Sequence, residues 1–462
     1  MRARITEPTV LFLSVIKWVV LATAAGAIVG LATGGFLKLL NLSIVTSQQF
    51  PYTFLLLPLA FFGSSLLVEY LAPDARGHGT EKVIEAIHQR SGKIAAPVVP
   101  VKLAATILTL GIGGSAGKEG PCAQIGAGLS SLLADILRFD NHDRKKLVVC
   151  GISAGFAAVF GTPIAGSIFG VEVLFVGSIL YDVLLPSFIA GVTSYQLATS
   201  LGVTYFHQPI TFAPVFSESF MLKVVLAGIL FGLCAMFLIE MLKVGEKISQ
   251  RIKLWAPLKG LIGGGLLIIL TLIFSTQYLG LGLTTIESCL KGDPGHWYAF
   301  LVKPVFTSIT LSFGGSGGIV TPIFFVGATA GATLALLLGL NVPTFSAIGL
   351  VSVLAGAANT PIAASILAVE LFGPAIAPYA TIACVISFLM TGHRSVYPSQ
   401  ILSIGKSASI EVELGKEIDD AEISYKPRER EFVHTLVKLM KAMRKGSATM
   451  FDANDETSQL IF

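Results

Sequence analysis

The chain has 462 residues, 53% hydrophobic and only 13% charged, with a mean hydropathy of +0.77. These values exclude an ordinary soluble domain. A net charge of +4, with no long basic tract in the apolar portion, excludes nucleic acid as a partner.

At the amino terminus, Arg2 and Arg4 precede an apolar run that continues to about residue 33. That length exceeds a signal peptide and predicts a retained first transmembrane helix, with the two arginines holding the amino terminus in the cytoplasm. Runs long enough to cross a hydrocarbon core of about 30 Å, roughly twenty residues each, recur from residue 9 almost to residue 391. Several are interrupted by proline or by some of the 48 glycines. In lipid such breaks survive only where neighbouring protein or a water-filled cavity satisfies the exposed backbone. An all-α polytopic membrane protein with broken and re-entrant helices is therefore expected, and with it a pathway.

The next feature is Gly77-His78-Gly79, followed by the segment GGSAGKEGP over residues 113–121, which places Lys118 and Glu119 side by side between glycines. The apolar run CAQIGAGLSSLLADIL follows it. After a shift of 201 residues the chain matches itself: Lys102 falls on Lys303, Thr106 on Thr307, Thr109 on Thr310, and GGSAGKEGP on GGSGGIVTP at 314–322. At a shift of 198, TPIAGSI at 162–168 meets TPIAASI at 360–366, and Val171-Glu172 meets Val369-Glu370. A shorter echo sets Gly77-His78-Gly79 against Gly280-Leu281-Gly282. The chain is thus a duplication, the organisation of transporters whose substrate site forms between repeats. Residues 1–403 are expected to form the transmembrane transport domain, with repeat one at about 10–205 and repeat two at about 215–400. Residues 404–462 form a short cytosolic tail, with an acidic stretch (Glu411, Glu413, Glu417, Asp419, Asp420) and then a basic amphipathic one (Lys438, Lys441, Arg444, Lys445). The tail is expected to be solvated or to lie at the interface.

Each glycine loop ends in proline and opens a helix-compatible run, which predicts helix starts at both places. A helix start presents unpaired N–H groups and the positive end of the macrodipole, so two such tips aimed into the membrane make an anion site without a full positive charge. Close helix packing through small residues is the alternative use of such glycines. Glu119, at one tip, is pulled both ways: desolvation favours its acid form, whereas N–H groups and Lys118 favour the carboxylate. It can occupy the anion's site as a carboxylate and leave it when protonated; a structural pair with Lys118 is the alternative. The five cysteines (Cys122, Cys150, Cys234, Cys289, Cys384) have neither metal nor redox spacing and read as core residues. The seven histidines are dispersed, and the chain has no HExxH, nucleophile motif or paired carboxylates within a span, so no metal, cofactor or catalytic function is expected.

GKEGP, GIVTP, FGTPIAGSIFGVEVL and Tyr397 together resemble the CLC family of chloride channels and anion/proton antiporters over about residues 10–400. The resemblance implies an all-α homodimer with one pore per subunit, each subunit built from two inverted repeats. It makes Glu119 the gating glutamate, assigns the amides near Gly120, Ile319, Val320 and Thr321 to the anion sites, with Lys118 beside them as a further anion-binding residue, and turns the Tyr397 hydroxyl towards the central anion. An interfacial-belt role is the alternative for Tyr397. Three departures stand out. Gly77-His78-Gly79-Thr80-Glu81 replaces the family's G-S-G-I-P and its anion-binding serine. Val320 replaces a filter phenylalanine, or is simply packing. Glu172 is followed by Val173, where coupled relatives carry a second glutamate for inner proton transfer. This combination resembles the bacterial branch that exports fluoride in exchange for protons across the plasma membrane. Fluoride is more strongly hydrated than chloride and needs stronger donors, here the Thr80 and Thr321 hydroxyls, with His78 either a third donor or a loop histidine bonded to backbone at the membrane edge. The expected partners are fluoride or chloride, protons and the lipid bilayer.

Overall fold

The computed structural model describes residues 2–205, 207, 209 and 218–425, with side chains described from residue 6. The basic stretch expected at Lys438, Lys441, Arg444 and Lys445 lies outside the described residues. The first eight helices are α1 (Arg2–Gln48), α2 (Leu57–Leu71), α3 (Thr80–Gln89), α4 (Val98–Gly111), α5 (Glu119–Ile136), α6 (Asn141–Phe160), α7 (Pro163–Glu172) and α8 (Tyr181–Ser200). The next eight repeat the order: α9 (Glu218–Arg251), α10 (Ala256–Phe274), α11 (Leu283–Leu290), α12 (Ala299–Ser312), α13 (Val320–Leu338), α14 (Val342–Ala358), α15 (Pro361–Phe372) and α16 (Ala377–Thr391).

Among the described residues, six helical segments, in α1, α2, α9, α10, α13 and the stretch ending in α16, are long and apolar enough to cross a membrane. Others fall short of the roughly twenty residues needed: α4 and α12 have 14 residues each, and α3 has 10. Of these, α3 starts inside the bundle, at the fully buried Thr80. The outward faces carry many exposed leucines and isoleucines, as a lipid-facing surface requires. All five cysteines are free and buried.

Helix α1 extends beyond the predicted end near residue 33, running to Gln48 through Gly34-Gly35. The reason is packing: Gly26, Gly30 and Gly34 recur every four residues on one face, and a Cβ on each would meet Ala190, Ser194 and Leu201 of the α8 region at 2.5, 2.6 and 2.8 Å. These glycines serve close approach rather than a helix break. Beyond α16 the chain returns to the membrane domain. Strand β1 (Phe175–Val176) pairs in parallel with β2 (Ile401–Leu402), and β3 (Ile410–Val412) pairs antiparallel with β4 (Ile423–Tyr425). The acidic stretch expected to be solvated is in part docked. Ile418 and Leu402 are buried against Val176 and Phe388, Asp419 pairs with Lys243 at 2.9 Å, and Glu417 accepts from Gln89 at 2.8 Å.

Candidate anion site

The two glycine loops meet at the centre of the bundle. Gly117 N–H donates to the Gly318 carbonyl at 2.7 Å, and Gly318 N–H donates back to Gly117 at 2.6 Å, joining residues 201 apart in sequence. Matched bonds surround this pair. Ser115 N–H donates to Thr310 Oγ1 at 3.0 Å, and Ser316 N–H to Thr109 Oγ1 at 2.9 Å. The Ser115 and Thr307 hydroxyls pair at 3.2 Å, as do those of Thr106 and Ser316. Each half therefore satisfies the other's loop about a pseudo-two-fold axis.

The short glycine echo is real as well. Gly77, Gly79, Gly280 and Gly282 all have positive φ, a conformation in which glycine is unstrained. In each half a buried lysine clamps this turn. Lys102 donates to the carbonyls of Ala75 (3.1 Å) and Gly77 (2.6 Å), and Lys303 to those of Tyr278 (3.0 Å) and Gly280 (2.9 Å). Gly79 immediately precedes α3 and packs against the first turn of α5, where a Cβ at Gly79 would lie 2.5 Å from the Gly120 carbonyl. A Cβ on Gly120 would in turn lie 1.9 Å from the His78 carbonyl, and one on Gly318 only 2.7 Å from Gly120 N. The starts of α3, α5 and α13 thus converge at distances that only glycine permits, and their first-turn N–H groups lack helical acceptors.

Glu119 opens α5 and is buried. Its carboxylate spans to the other repeat. Oε1 accepts from Thr321 Oγ1 at 2.6 Å, and Oε2 accepts from Thr321 N–H at 3.1 Å. A carboxyl group thus sits on the amino-terminal tip of α13, where the macrodipole favours an anion. The alternative pairing with Lys118 does not form: Lys118 instead lines, with Glu119 and Thr321, a cavity of about 460 Å³. Lys38, Asn41 and Ile44, from the far half of α1, line the same cavity. Lys17, near the start of α1, pairs with Asp143 at the start of α6. The cavity therefore opens at the membrane face away from the start of α1. Ile319 and Val320 are both buried in the main hydrophobic core.

The Thr80 and Tyr397 hydroxyls and His78 Nδ1 are buried without a hydrogen-bond partner. The Thr80 hydroxyl faces that of Tyr397, although the two do not close into a bond, and the His78 ring lies 5.6 Å from the Tyr397 ring. His78 is half-buried beside Tyr397, and Tyr397 is fully buried rather than in an interfacial belt. Unsatisfied hydroxyls in a dry interior are costly unless something fills the space between them. Polar contacts fix the Tyr397 loop: Tyr397 N–H donates to Ser395 Oγ at 2.9 Å, Ser395 donates to Gln400 Oε1 at 2.7 Å, and Gln400 Nε2 donates to the Val173 and Ala358 carbonyls at 2.7 and 2.8 Å.

Sequence reasoning missed two features of the site. Glu81 binds Ser399 through both its N–H (3.0 Å) and its hydroxyl (2.5 Å), tying α3 to the Tyr397 loop. Glu172 and Glu370 each cap the other half's helix. Glu172 accepts from the N–H groups of Ile362 (3.0 Å) and Ala363 (2.7 Å), and Glu370 from those of Ile164 (3.1 Å) and Ala165 (2.7 Å). The match of Val171-Glu172 to Val369-Glu370 carried that signal, but not its meaning.

Three helix tips around a buried acid, inside a duplicated membrane bundle, define a protein that moves ions across a membrane. The family described as voltage gated chloride channel matches residues 59–392. The chain belongs to this CLC family and is a multi-pass membrane protein. A chloride/fluoride channel protein of Pseudomonas syringae pv. tomato is 37% identical over 393 residues, which cover 83% of this chain and 86% of the relative. The solved structure of a CLC-type fluoride/proton antiporter matches with a TM-score of 0.81 at 29% identity, over 85% of this chain and 99% of that one. A slow cyanobacterial Cl⁻/H⁺ antiporter, 21% identical, shares the fold with a TM-score of 0.71 over 81% of this chain and 94% of that one.

Proposed function

We propose that this protein is a secondary-active antiporter that exports fluoride in exchange for protons across a bacterial plasma membrane. It does no covalent chemistry on its cargo, and it works as a homodimer with one pathway per subunit. Residues 1–403 are the transport domain and residues 404–462 its tail. The observation that carries the proposal is the position of Glu119: its carboxylate occupies the amino-terminal tip of α13, bonded to the Thr321 amide and hydroxyl. Those donors suit a halide equally well, so anion and carboxylate compete for one place. A proton arriving through the cavity at Lys118 neutralises Glu119, weakens its hold on the tip and admits the anion. On the other side, the unpaired Thr80 and Tyr397 hydroxyls offer the strong neutral donors that a tightly hydrated small anion needs in exchange for its water. The likeness to a Pseudomonas chloride/fluoride channel protein and to a solved fluoride/proton antiporter supports fluoride as the cargo.

A passive channel, or a chloride/proton antiporter, uses the same site. The feature that favours uncoupled conduction is Glu172, whose two oxygens are both committed to α15 amides and are not free to shuttle protons. Proteoliposomes loaded with fluoride or chloride, with anion release and proton uptake recorded together, distinguish the three. Fluoride release faster than chloride, accompanied by proton uptake that Glu119→Gln abolishes, is expected. Equal or faster chloride release overturns the choice of fluoride, and unchanged proton uptake in the Gln variant overturns the role of Glu119.

A further inference from the structure

We propose that Glu81 is the inner proton-exchanging carboxylate, passing protons between Glu119 and the water on the tail side of the protein. The inference rests on the antiport reading above. Its first support is how Glu81 is held. Oε1 accepts both hydrogen bonds from Ser399, whereas Oε2 is buried and has no partner. A carboxylate anchored by one oxygen leaves the other ready to take a proton. Glu172 differs in having both oxygens engaged.

The second support is what lies between the two acids. The Tyr397 hydroxyl is near enough to both Glu119 and Glu81 to feel their charge, and the Thr80 hydroxyl faces it. Thr80 Oγ1, Tyr397 Oη and Glu81 Oε2 are thus three unpaired oxygens in one region. A hydroxyl both accepts and donates, so it can relay a proton. In the step itself, the O–H bond of protonated Glu119 breaks, a hydroxyl accepts that proton and gives up its own, and an O–H bond forms at Glu81 Oε2. No electron is transferred.

The third support is the way out. Glu81, Glu85 and His88 follow at i, i+4 and i+7 along one face of α3, which ends at exposed Gln89, bonded to Glu417 of the tail. The charged and titratable groups that face Glu81 are Lys82 and Glu85 on its own helix, paired at 2.7 Å, together with Tyr397 on the facing loop, whose hydroxyl in turn feels Glu119 of α5.

The test is Glu81→Gln in fluoride-loaded proteoliposomes, beside wild type and Glu119→Gln. A glutamine keeps a carbonyl oxygen to accept from Ser399 but carries no exchangeable acid proton. Fluoride release should persist in this variant while proton uptake per fluoride falls at least tenfold. Wild-type uptake with an unaltered proton-to-fluoride ratio in the Gln variant overturns the role of Glu81 and leaves antiport standing. Fluoride release without proton uptake in wild type overturns antiport, and this proposal with it. If the Gln variant is inactive, Glu81→Asp decides. A retained acid displaced from Ser399 should slow proton uptake more than fluoride release, whereas equal slowing of both, at a constant ratio, would mark Glu81 as a structural anchor and overturn the proposal.

Discussion

The reciprocal caps make a quantitative prediction. Glu172→Ala strips the acceptor from the amides of Ile362 and Ala363 and opens a side-chain-sized gap between α7 and α15. The Ala363 amide is buried, and orphaning it costs about 1–3 kcal/mol, whereas the Ile362 amide is only partly buried and adds less. Glu370→Ala removes the symmetric pair, but Glu370 is only partly buried and water can replace it there, so its cost should be about half as large. Glu172→Gln should fall between, because its amide group turns a donor towards one of the two N–H groups. The assay is apparent melting temperature in detergent for the three variants, beside fluoride efflux and proton uptake in liposomes. The expected order of loss is Glu172→Ala, then Glu172→Gln, then Glu370→Ala, with the coupling ratio unchanged in whatever protein survives. Lost proton uptake without lost stability in Glu172→Gln would show that Glu172 carries protons, and the cap argument would fail.

Two further outcomes follow from the site. Thr321→Val deletes the hydroxyl for which the Glu119 carboxyl group and the anion compete, while keeping the side-chain volume; loss of a bond worth about 1.5–3 kcal/mol should raise the fluoride concentration needed for half-maximal efflux by roughly tenfold or more, and unchanged fluoride dependence would show that this hydroxyl does not touch the anion. Gly79→Ala places a Cβ 2.5 Å from the Gly120 carbonyl at a residue with φ of 86°, so both strain and collision should drive α3 away from α5. Near-complete loss of fluoride efflux, with a lower melting temperature, is expected, and wild-type efflux in that variant would contradict the convergence of the three helix starts.

Much of this architecture was legible because duplication writes each feature twice. The shift of 201 residues that aligns Thr109 with Thr310 is the same shift that brings Gly117 against Gly318. The glycine loops announced helix tips, and Glu119 stood out as a buried acid at one of them. Glu81 did not stand out, because an acid in the first turn of an amphipathic helix is also what a solvated helix start looks like. Only its bonds to Ser399, 318 residues away, reveal it. The length of α1 was hidden for a related reason. Gly34-Gly35 suggests a break in isolation, whereas the actual use of Gly34 depends on α8, far along the chain. The docked acidic stretch was similarly masked, since its charges concealed Ile418, the residue that anchors it.

The mutual backbone bonds at Gly117 and Gly318, with the serine and threonine bonds around them, have a mechanical consequence. A see-saw of one half of the subunit against the other, as in many carriers, would tear this seam apart at its pivot, in a medium that supplies no replacement partners. On the antiport reading, exposure of the ion to alternate sides then falls to swings of individual side chains within a stationary frame, more a turnstile than a hinged door.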